Sequence, residues 1–455
     1  MGVDSLYLND CCMWKNKVFF WSLVVSLGGF LFGFDTAVIS GAEKSIQKYW
    51  ELNALQHGLT ISIALVGTVA GALLGSIPSD KLGRKRTLYL IALLYLVSSL
   101  GTSLSTSWYL FLFFRFIGGL GVGASSVTAP IYISEISPAA KRGKLVALFQ
   151  FNVVFGILVS YFSNYLIGYT GDNAWRLMLG IQAIPSFLFL ILLNFIPESP
   201  RWLILHKGRV SDASSILAVI NPGGYESDLA AIQQAGERDQ EDKDAPPLLS
   251  KKYKVPVMLA VLFAVFNQVS GINAIIYYAP RIFEMTGLGK HSSLLSTVGI
   301  GAVNFLFTLL AMNLIDRFGR RTLMLIGSVG LVLSLGCVSY AFYTKDFNGN
   351  MVTIALLVYI AFFAFSQGAV IWVFISEIFP NQVRAKGQTL GSFTHWAMAA
   401  LVTFSFPYLA EKWGGGDIFA FFSLMMCLQW LFVWKKMPET KGRSLEQLGG
   451  DLLIH

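Results

Sequence analysis

The chain has 455 residues, of which 55% are hydrophobic and only 13% are charged, and its formal net charge is +8. Soluble domains carry about 25% charged residues, so this composition excludes an ordinary soluble domain and predicts a protein that crosses a membrane many times. The four cysteines, at 11, 12, 337 and 427, show neither a disulfide framework nor metal-ligand spacing, so no metal site is predicted.

Long apolar runs follow one another along the chain, and a membrane helix needs about 20 apolar residues. The first run is too long for a cleavable signal peptide. We predict an all-α polytopic membrane protein with twelve membrane helices, over 18–41, 57–78, 87–105, 109–132, 144–168, 176–197, 255–279, 293–315, 322–343, 351–375, 386–409 and 416–436.

A polar stretch divides these spans into two groups of six. It carries Gln, Glu, Asp and Lys in helix-compatible patterns, so we expect a short helical segment there. The predicted units are an N-terminus, a first six-helix half, a helical linker, a second six-helix half and a tail, over 1–17, 18–200, 201–254, 255–436 and 437–455.

Basic residues are distributed unevenly between the two sides of the predicted membrane. An even number of spans places both termini on one side, and that side holds 26 of the 34 Lys and Arg. Positively charged loops stay in the cytoplasm, so we expect both termini and the linker to be cytoplasmic in a multi-pass protein of the cell membrane. The net charge then reflects topology, so membrane lipid is an expected partner and nucleic acid is not.

Several short motifs occur twice in the same order. Asp-Lys-Leu-Gly-Arg-Lys-Arg at 80–86 recurs as Asp-Arg-Phe-Gly-Arg-Arg at 316–321, 236 residues later. Glu135 recurs as Glu377, 242 residues later, and a Pro-Glu-Ser motif recurs as Pro-Glu-Thr 241 residues later. The nearly constant offset predicts two pseudo-symmetric halves, an architecture of transporters in which the substrate site lies between the halves.

These motifs resemble the major facilitator superfamily and, within it, the sugar porter family, over nearly the whole chain. The two Pro-Glu-Ser/Thr motifs together with Gln-Val-Ser-Gly-Ile-Asn are the specific part of the resemblance. The segments that carry it are 80–86, 115–123, 130–135, 197–202, 268–273, 316–321, 372–380 and 438–442.

The resemblance implies a secondary active transporter that imports a monosaccharide by proton symport through alternating access. It implies no cofactor other than the proton as coupling ion, and a functional monomer. A facilitative uniporter, a polyol or inositol porter and a sugar sensor remain open alternatives. An enzyme is not predicted, because no nucleophile–base set appears, and the absence of a nucleotide-binding loop argues against ATP as the driving force.

Two ionisable residues lie inside predicted spans. Asp35 falls in the outer half of the first span, and Arg115 falls at the start of the fourth. An ionisable side chain at such depth is a functional candidate. The resemblance implies that the acidic residue accompanies proton symport and is released from Arg115 on protonation. The alternative is a static ion pair that only fixes two helices.

The resemblance also implies a sugar site assembled from both halves. Amides both donate and accept hydrogen bonds, as sugar hydroxyls do, and a Trp offers a flat apolar face to a pyranose. Asn267 and His395 depart from the residues most common in the family, so no particular sugar is carried over. For each amide, an interhelical hydrogen bond is the alternative. The predicted substrate-binding residues are Gln150, Asn267, Gln268, Asn273, Asn304, Gly368, Trp372 and His395.

The seventh span carries an expected gate. In an unbroken helix, positions 268 and 273 would point about 140° apart, so we predict local unwinding at Gly271 that lets both amides reach one ligand. Tyr277 and Tyr278 would then belong to the moving outer segment. The alternative for these tyrosines is an interfacial aromatic belt.

A charge network is expected at the cytoplasmic helix ends. The resemblance implies interhelical ion pairs that hold this side shut and break when it opens, and the alternative is ordinary anchoring by snorkelling side chains. Two of the acids, in the Pro-Glu-Ser/Thr motifs, are expected to join through Arg on neighbouring helices. The predicted latch residues are Arg84, Glu135, Arg142, Glu198, Arg320, Glu377, Arg384 and Glu439.

Overall fold

A computed structural model describes residues 3–171, 173–241, 247–347, 350–380 and 383–442. Within these ranges all regular secondary structure is helical. Part of the predicted linker, 242–246, and most of the predicted tail, 443–455, lie outside the described residues.

Eight helices build the first half. The first extends well past its predicted span in both directions, and the sixth predicted span is made of two helices joined by a turn. In chain order they are α1 Val3–Tyr49, α2 Ala54–Leu74, α3 Ser76–Leu82, α4 Arg84–Leu104, α5 Trp108–Glu135, α6 Arg142–Ile167, α7 Ala174–Gly180 and α8 Ala183–Leu192.

The linker forms three short helices, α9 Pro200–Lys207, α10 Val210–Ile220 and α11 Tyr225–Glu241. The Ser199 side chain accepts a hydrogen bond from the Trp202 amide and caps α9. The Trp202 indole donates to the carbonyl of Asp80 at 2.7 Å, which holds α9 against the turn before α4. We call the end of the bundle that carries α9–α11 and residues 437–442 the linker face, and the other end the opposite face.

Seven helices build the second half. They are α12 Lys254–Val269, α13 Ile272–Met285, α14 Lys290–Phe318, α15 Arg320–Thr344, α16 Met351–Phe365, α17 Gln367–Glu377 and α18 Arg384–Lys436.

The last helix contains two membrane spans. It has 53 residues, but Gly414 inside it has φ 82° and ψ 166°, which is not helical. Both ends of α18 lie at the linker face, so the chain reverses at Gly414, and residues 384–413 and 415–436 each cross the bundle. The eleven continuous apolar segments in the described chain therefore make twelve membrane helices in two halves, as predicted.

Two spans of the second half are broken. Gly271, with φ 86°, separates α12 from α13 where the sequence predicted unwinding. The tenth span breaks at Ser366, with φ −110° and ψ −91°, two residues before Gly368. The Ser366 hydroxyl donates to the Phe362 carbonyl at 2.5 Å. Gly327 makes room for it, because a Cβ there would lie 2.1 Å from that hydroxyl.

Small residues let α2 and α5 touch along their backbones. A Cβ added at Gly71 would lie 2.3 Å from the Leu120 carbonyl oxygen, and one added at Gly119 would lie 1.9 Å from that of Ala64. Backbone atoms cannot move aside as a side-chain end can. The glycines of these two helices therefore serve close helix packing, as the sequence indicated.

We expect Gly119→Ala to destabilise the bundle by about 1–3 kcal/mol, the usual cost of forcing a methyl group into a filled contact. Gly143→Ala is the matched control, since a Cβ there meets nothing within 4 Å. Thermal unfolding in detergent, followed by fluorescence-detected size exclusion, should show a lower melting temperature for the first variant only. Equal melting temperatures would contradict the close contact.

Candidate functional site

The break between α12 and α13 gathers three amide side chains. The Asn273 amide donates to the Gln268 side-chain oxygen at 2.5 Å, and the Gln268 amide donates to that of Asn267 at 2.8 Å. All three side chains are buried. The left-handed backbone of Gly271 turns the first residues of α13 back toward the end of α12, so residues 268 and 273 meet as predicted.

An imidazole and an indole lie beside these amides. The Gln268 amide nitrogen lies 3.2 and 3.3 Å from the two ring nitrogens of His395 on α18. The ring of Trp372 on α17 packs against that imidazole, with centroids 4.7 Å apart. Trp372 is 37% exposed whereas His395 is buried. The cluster thus combines groups that donate and accept hydrogen bonds with an accessible flat apolar face, which suits a small hydroxylated molecule.

A second layer of polar side chains holds this cluster, and sequence reasoning missed it. Ser270 donates to the Asn267 carbonyl at 2.6 Å, and Tyr359 donates to the Ser270 carbonyl at 3.0 Å. Behind them the Gln367 amide donates to the Gln429 side chain at 2.9 Å. Their only sequence signal is a polar side chain within an apolar run, and many such residues are mere interhelical contacts.

Three predicted binding residues are not joined to this cluster by a hydrogen bond in the described chain. Gln150 is exposed on α6, and Asn304 is half-buried on α14. These helices face each other, because the rings of Phe151 and Phe305 lie 5.4 Å apart. Gly368 lies in the first turn of α17, and a Cβ there would make ordinary contacts at 3.4 Å.

The two intramembrane charges form the predicted ion pair. Arg115 Nη1 lies 3.1 Å from Asp35 Oδ1, and both side chains are at most 3% exposed. Within the described residues, Nε and Nη2 of Arg115 have no hydrogen-bond partner. A buried ion pair with unsatisfied donors gains little over its desolvation cost, but removing the charge of one partner leaves the other buried without a counter-ion.

Both predicted gate tyrosines are buried, which does not fit an interfacial aromatic belt. The Tyr278 hydroxyl donates to the Thr403 carbonyl of α18 at 3.1 Å. Tyr277 lies beside Thr36 and near the Asp35–Arg115 pair. The segment α13 therefore sits between the polar cluster of its own half and the ion pair of the other half.

At the linker face, one arginine in each half pairs with two carboxylates. Arg84 makes two hydrogen bonds to Glu135, at 3.0 and 3.1 Å, and a third to Asp80. Arg320 bonds Glu377 at 2.8 Å and, through a second nitrogen, Asp316. Each network joins helices of one half, so these pairs do not connect the two halves.

Two of the predicted latch arginines have other partners. Arg142 donates to the Ser134 carbonyl at 3.2 Å, and Arg384 donates to the Phe379 carbonyl at 3.2 Å. Ser134 lies in the last turn of α5, and Phe379 lies two residues beyond the end of α17, where backbone acceptors lack helical partners and cations are favoured. The expectation that Arg142 and Arg384 pair with carboxylates is wrong for this structure.

The acids of the two Pro-Glu-Ser/Thr motifs bind backbone amides instead of arginine side chains. Glu198 accepts from the Lys85 amide at 3.0 Å, and Glu439 accepts from the Arg320 and Arg321 amides at 2.9 and 3.0 Å. They therefore cap the first turns of α4 and α15, where the helix dipole favours an anion. Burial raises the pKa of the Glu198 carboxyl, and the backbone amides around it limit that rise.

A further buried cluster lies at the opposite face and was not predicted. Glu43 on α1 pairs with His57 on α2 and with Arg281 on α13. Lys44 and Glu284 form a second ion pair across the same interface. The sequence contains a weak signal for this cluster, because adjacent or nearby residues of opposite charge follow both the first and the seventh predicted spans.

Comparisons with known proteins show the family to which the chain belongs. A family profile described as "Sugar (and other) transporter" matches residues 21–451. The chain belongs to the sugar transporter family. It is 36% identical to the D-xylose-proton symporter of Escherichia coli strain K12 over an alignment of 474 positions, and the alignment covers 95% of each protein. It is 35% identical to the arabinose-proton symporter of Bacillus subtilis, over 94% of this chain and 93% of that protein.

Solved structures of a transporter from this family match nearly the whole chain. The inward open conformation of the xylose transporter XylE from E. coli has a TM-score of 0.83 at 34% identity, covering 95% of this chain and 99% of that one. XylE bound to 6-bromo-6-deoxy-D-glucose has a TM-score of 0.79, also at 34% identity, covering 96% and 99%. The major facilitator fold implied by the motif resemblance is thereby confirmed.

We expect Gly271→Ala to reduce transport by this family member at least about tenfold, since a non-glycine residue in the left-handed region costs about 1–2 kcal/mol. The added Cβ would also lie 2.4 Å from the Phe422 ring. Gly336→Ala on α15 is the matched control, since a Cβ there would meet only the Ser423 hydroxyl, at 3.8 Å. Initial uptake rates in vesicles, with melting temperatures measured in parallel, check this. Unchanged transport by Gly271→Ala would remove the break from the mechanism.

Proposed function

We propose that this protein imports a monosaccharide together with protons by alternating access. The observation that carries the proposal is that one molecule holds a buried Asp35–Arg115 pair and an amide–imidazole–indole cluster, with α13 between them. Relatives whose names describe proton symporters of xylose and arabinose support the same reading.

The proposed coupling uses Asp35 as the proton carrier. Its neighbour Arg115 balances the carboxylate while the pair is formed. Protonation removes the negative charge, so Arg115 loses its counter-ion and the contact between α1 and α5 loosens. Substrate bound at the α12–α13 break then favours reclosure, and the proton leaves on the other side. The proton is the coupling ion, and the protein works as a monomer without a cofactor.

The proposed orientation places the linker face and both termini in the cytoplasm of a cell whose membrane lipid surrounds the bundle. The distribution of Lys and Arg supports this assignment. The opposite face is closed by contacts between α1 and α13. The similarity to an inward open conformation of the xylose transporter XylE supports an inward-facing state.

The proposed substrate site is the cluster of Asn267, Gln268, Asn273, Trp372 and His395. The remaining predicted residues, which face the space between the halves in this proposal, are Gln150, Asn304 and Gly368. In this site the short side chain of Asn267 and the imidazole of His395 set the preference among sugars, and a panel of sugars and polyols in proteoliposomes identifies the substrate.

We also propose a limited role for the linker-face networks. Arg84 and Arg320 hold the helix ends of their own halves rigid, so that each half moves as one body. The networks therefore align the helix ends of the linker face for closure. Other contacts, between the two halves, form and break during transport. This differs from a latch that joins the two halves directly.

Asp35→Asn is expected to keep sugar exchange and lose accumulation. The amide is nearly the same size and still accepts a hydrogen bond from Arg115, but it does not bind a proton at physiological pH. Proteoliposomes with an imposed pH gradient should therefore concentrate labelled sugar only with the wild type, while counterflow without a gradient persists in both.

Asp212→Asn is the matched control, because Asp212 is an exposed linker residue paired with Arg209. It should leave both assays unchanged. Accumulation by Asp35→Asn at the wild-type level would show that Asp35 is not the carrier. Absence of gradient-driven accumulation in the wild type would favour an uncoupled uniporter.

Gln268→Ala is expected to weaken sugar binding about tenfold to a hundredfold, since a lost hydrogen bond and the polar partners left without it cost about 1–3 kcal/mol. Gln268 bonds Asn267, Asn273 and His395, so its removal affects the whole cluster. Gln233→Ala, on the exposed surface of α11, is the control. Half-saturation concentrations of counterflow measure the effect, and equal values would place the sugar elsewhere.

A further inference from the structure

The buried cluster at the opposite face joins three helices and both halves. Arg281 Nε lies 2.9 Å from Glu43 Oε1, and Nη2 lies 2.6 Å from Oε2. His57 Nε2 lies 2.7 Å from the same Oε2. Glu43 and His57 belong to the first half and are fully buried, whereas Arg281 belongs to the second half.

The charged neighbours of the cluster lie along a cleft lined by Lys44, Lys48, Glu284 and Lys290. Lys44 and Glu284 form an ion pair with each other. On the remaining side of His57 lies the ring of Tyr278, 6.0 Å away. The packed residues of α18 add no charge here, because Gly58 rests on the Phe404 backbone and Phe406 stacks on Tyr278.

In the closed arrangement Arg281 is the counter-ion of Glu43. Since a carboxylate only accepts hydrogen bonds, His57 Nε2 carries the hydrogen of that contact. His57 Nδ1 is buried and has no partner among the described residues. A second proton on this ring would place a positive charge beside Arg281, which lies 3.3 Å from Nε2. The positive charge of Arg281 therefore opposes a second positive charge on this ring while the opposite face is closed.

Opening of the opposite face would change the charges that surround Glu43. Alternating access requires α13 to separate from α1 and α2, which takes Arg281 away from Glu43. Glu43 and His57 stay together, because both belong to the first half. Glu43 then lacks a counter-ion, and a proton taken up at His57 Nδ1 supplies one. Histidine is the side chain that ordinarily titrates between about pH 5 and 8.

We propose that Glu43 and His57 form a second proton-binding site, which Arg281 blocks while the opposite face is closed and which takes up one proton when that face opens. The site lies two turns of α1, about 12 Å, beyond Asp35. It rests on the proposed alternating access, but it acts on the conformational balance rather than on the transported proton. A lower pH in the solution at the opposite face then favours the outward-facing state that binds substrate.

The test measures opening as a function of pH. Full-length protein in nanodiscs carries spin labels at Leu55→Cys and Gly289→Cys, exposed positions on the two halves at the opposite face, with Cys11, Cys12, Cys337 and Cys427 changed to Ser. Pulsed EPR gives the ratio of long to short label distances. All variants also carry Asp35→Asn, so that the proposed carrier does not contribute.

In this background the ratio of open to closed protein should rise on acidification from about pH 8 to 5, by up to about tenfold per pH unit for one proton taken up. Adding His57→Gln keeps an N–H donor for Glu43 but removes the titration, so the rise should disappear. His291→Gln is the matched control, because His291 stacks on Tyr169 at the same face, outside the cluster. It should leave the rise intact.

A second variant covers the case in which His57→Gln fails to fold. Arg281→Gln removes the blocking charge, so His57 should take up a proton equally well in the open and the closed state. The protein should then be more open at pH 8 and should respond little to pH. A pH response that persists in both variants, or is already absent with Asp35→Asn alone, would overturn the proposal. Loss of gradient-driven accumulation in the wild type would instead refute proton symport, whatever the EPR result.

Discussion

The left-handed backbone at Gly271 is the constraint on which the rest of the site depends. With φ 86°, it ends α12 and starts α13 without removing either from the bundle. A continuous helix would point Gln268 and Asn273 in different directions. The break brings their amides together, and it also makes α13 a separate segment, held by contacts to α1, α6 and α18 as well as by the Asn273–Gln268 hydrogen bond to α12.

The placement of ion pairs differs between the two faces. At the linker face, Arg84 and Arg320 pair within their own halves, so separating the halves there breaks neither network. At the opposite face, Arg281 crosses from one half to the other, and separation exposes a buried carboxylate that has lost its partner. Breaking one side of a buried pair is costly. The electrostatic cost of changing state is therefore concentrated at the opposite face.

The sequence predicted features that repeat along the chain and features that depart from the usual pattern of an apolar membrane helix. The offset of about 240 residues predicted two halves, and charges inside apolar runs predicted the Asp35–Arg115 pair. The break at Gly271 followed from helix geometry and the need for two amides to meet. The break at Ser366 was missed, because it depends on space supplied by Gly327, 39 residues earlier. Local patterns do not encode such contacts, nor the meeting of Glu43, His57 and Arg281.

The halves repeat in their scaffold but not in their chemistry. Glu198 and Glu439 cap corresponding helices, and Arg84 and Arg320 make corresponding networks. The buried ion pair belongs to the first half alone, and the amide cluster to the second. In the proposed mechanism a signal must therefore pass between halves, and α13 carries residues beside both the amide cluster and the ion pair. Asn273 contacts Gln268, and Tyr277, four residues later in α13, lies near Asp35. One turn of helix therefore connects the proposed substrate site to the proposed proton carrier. Because that turn is separated from α12 by Gly271, it can respond to either site without carrying the whole half with it.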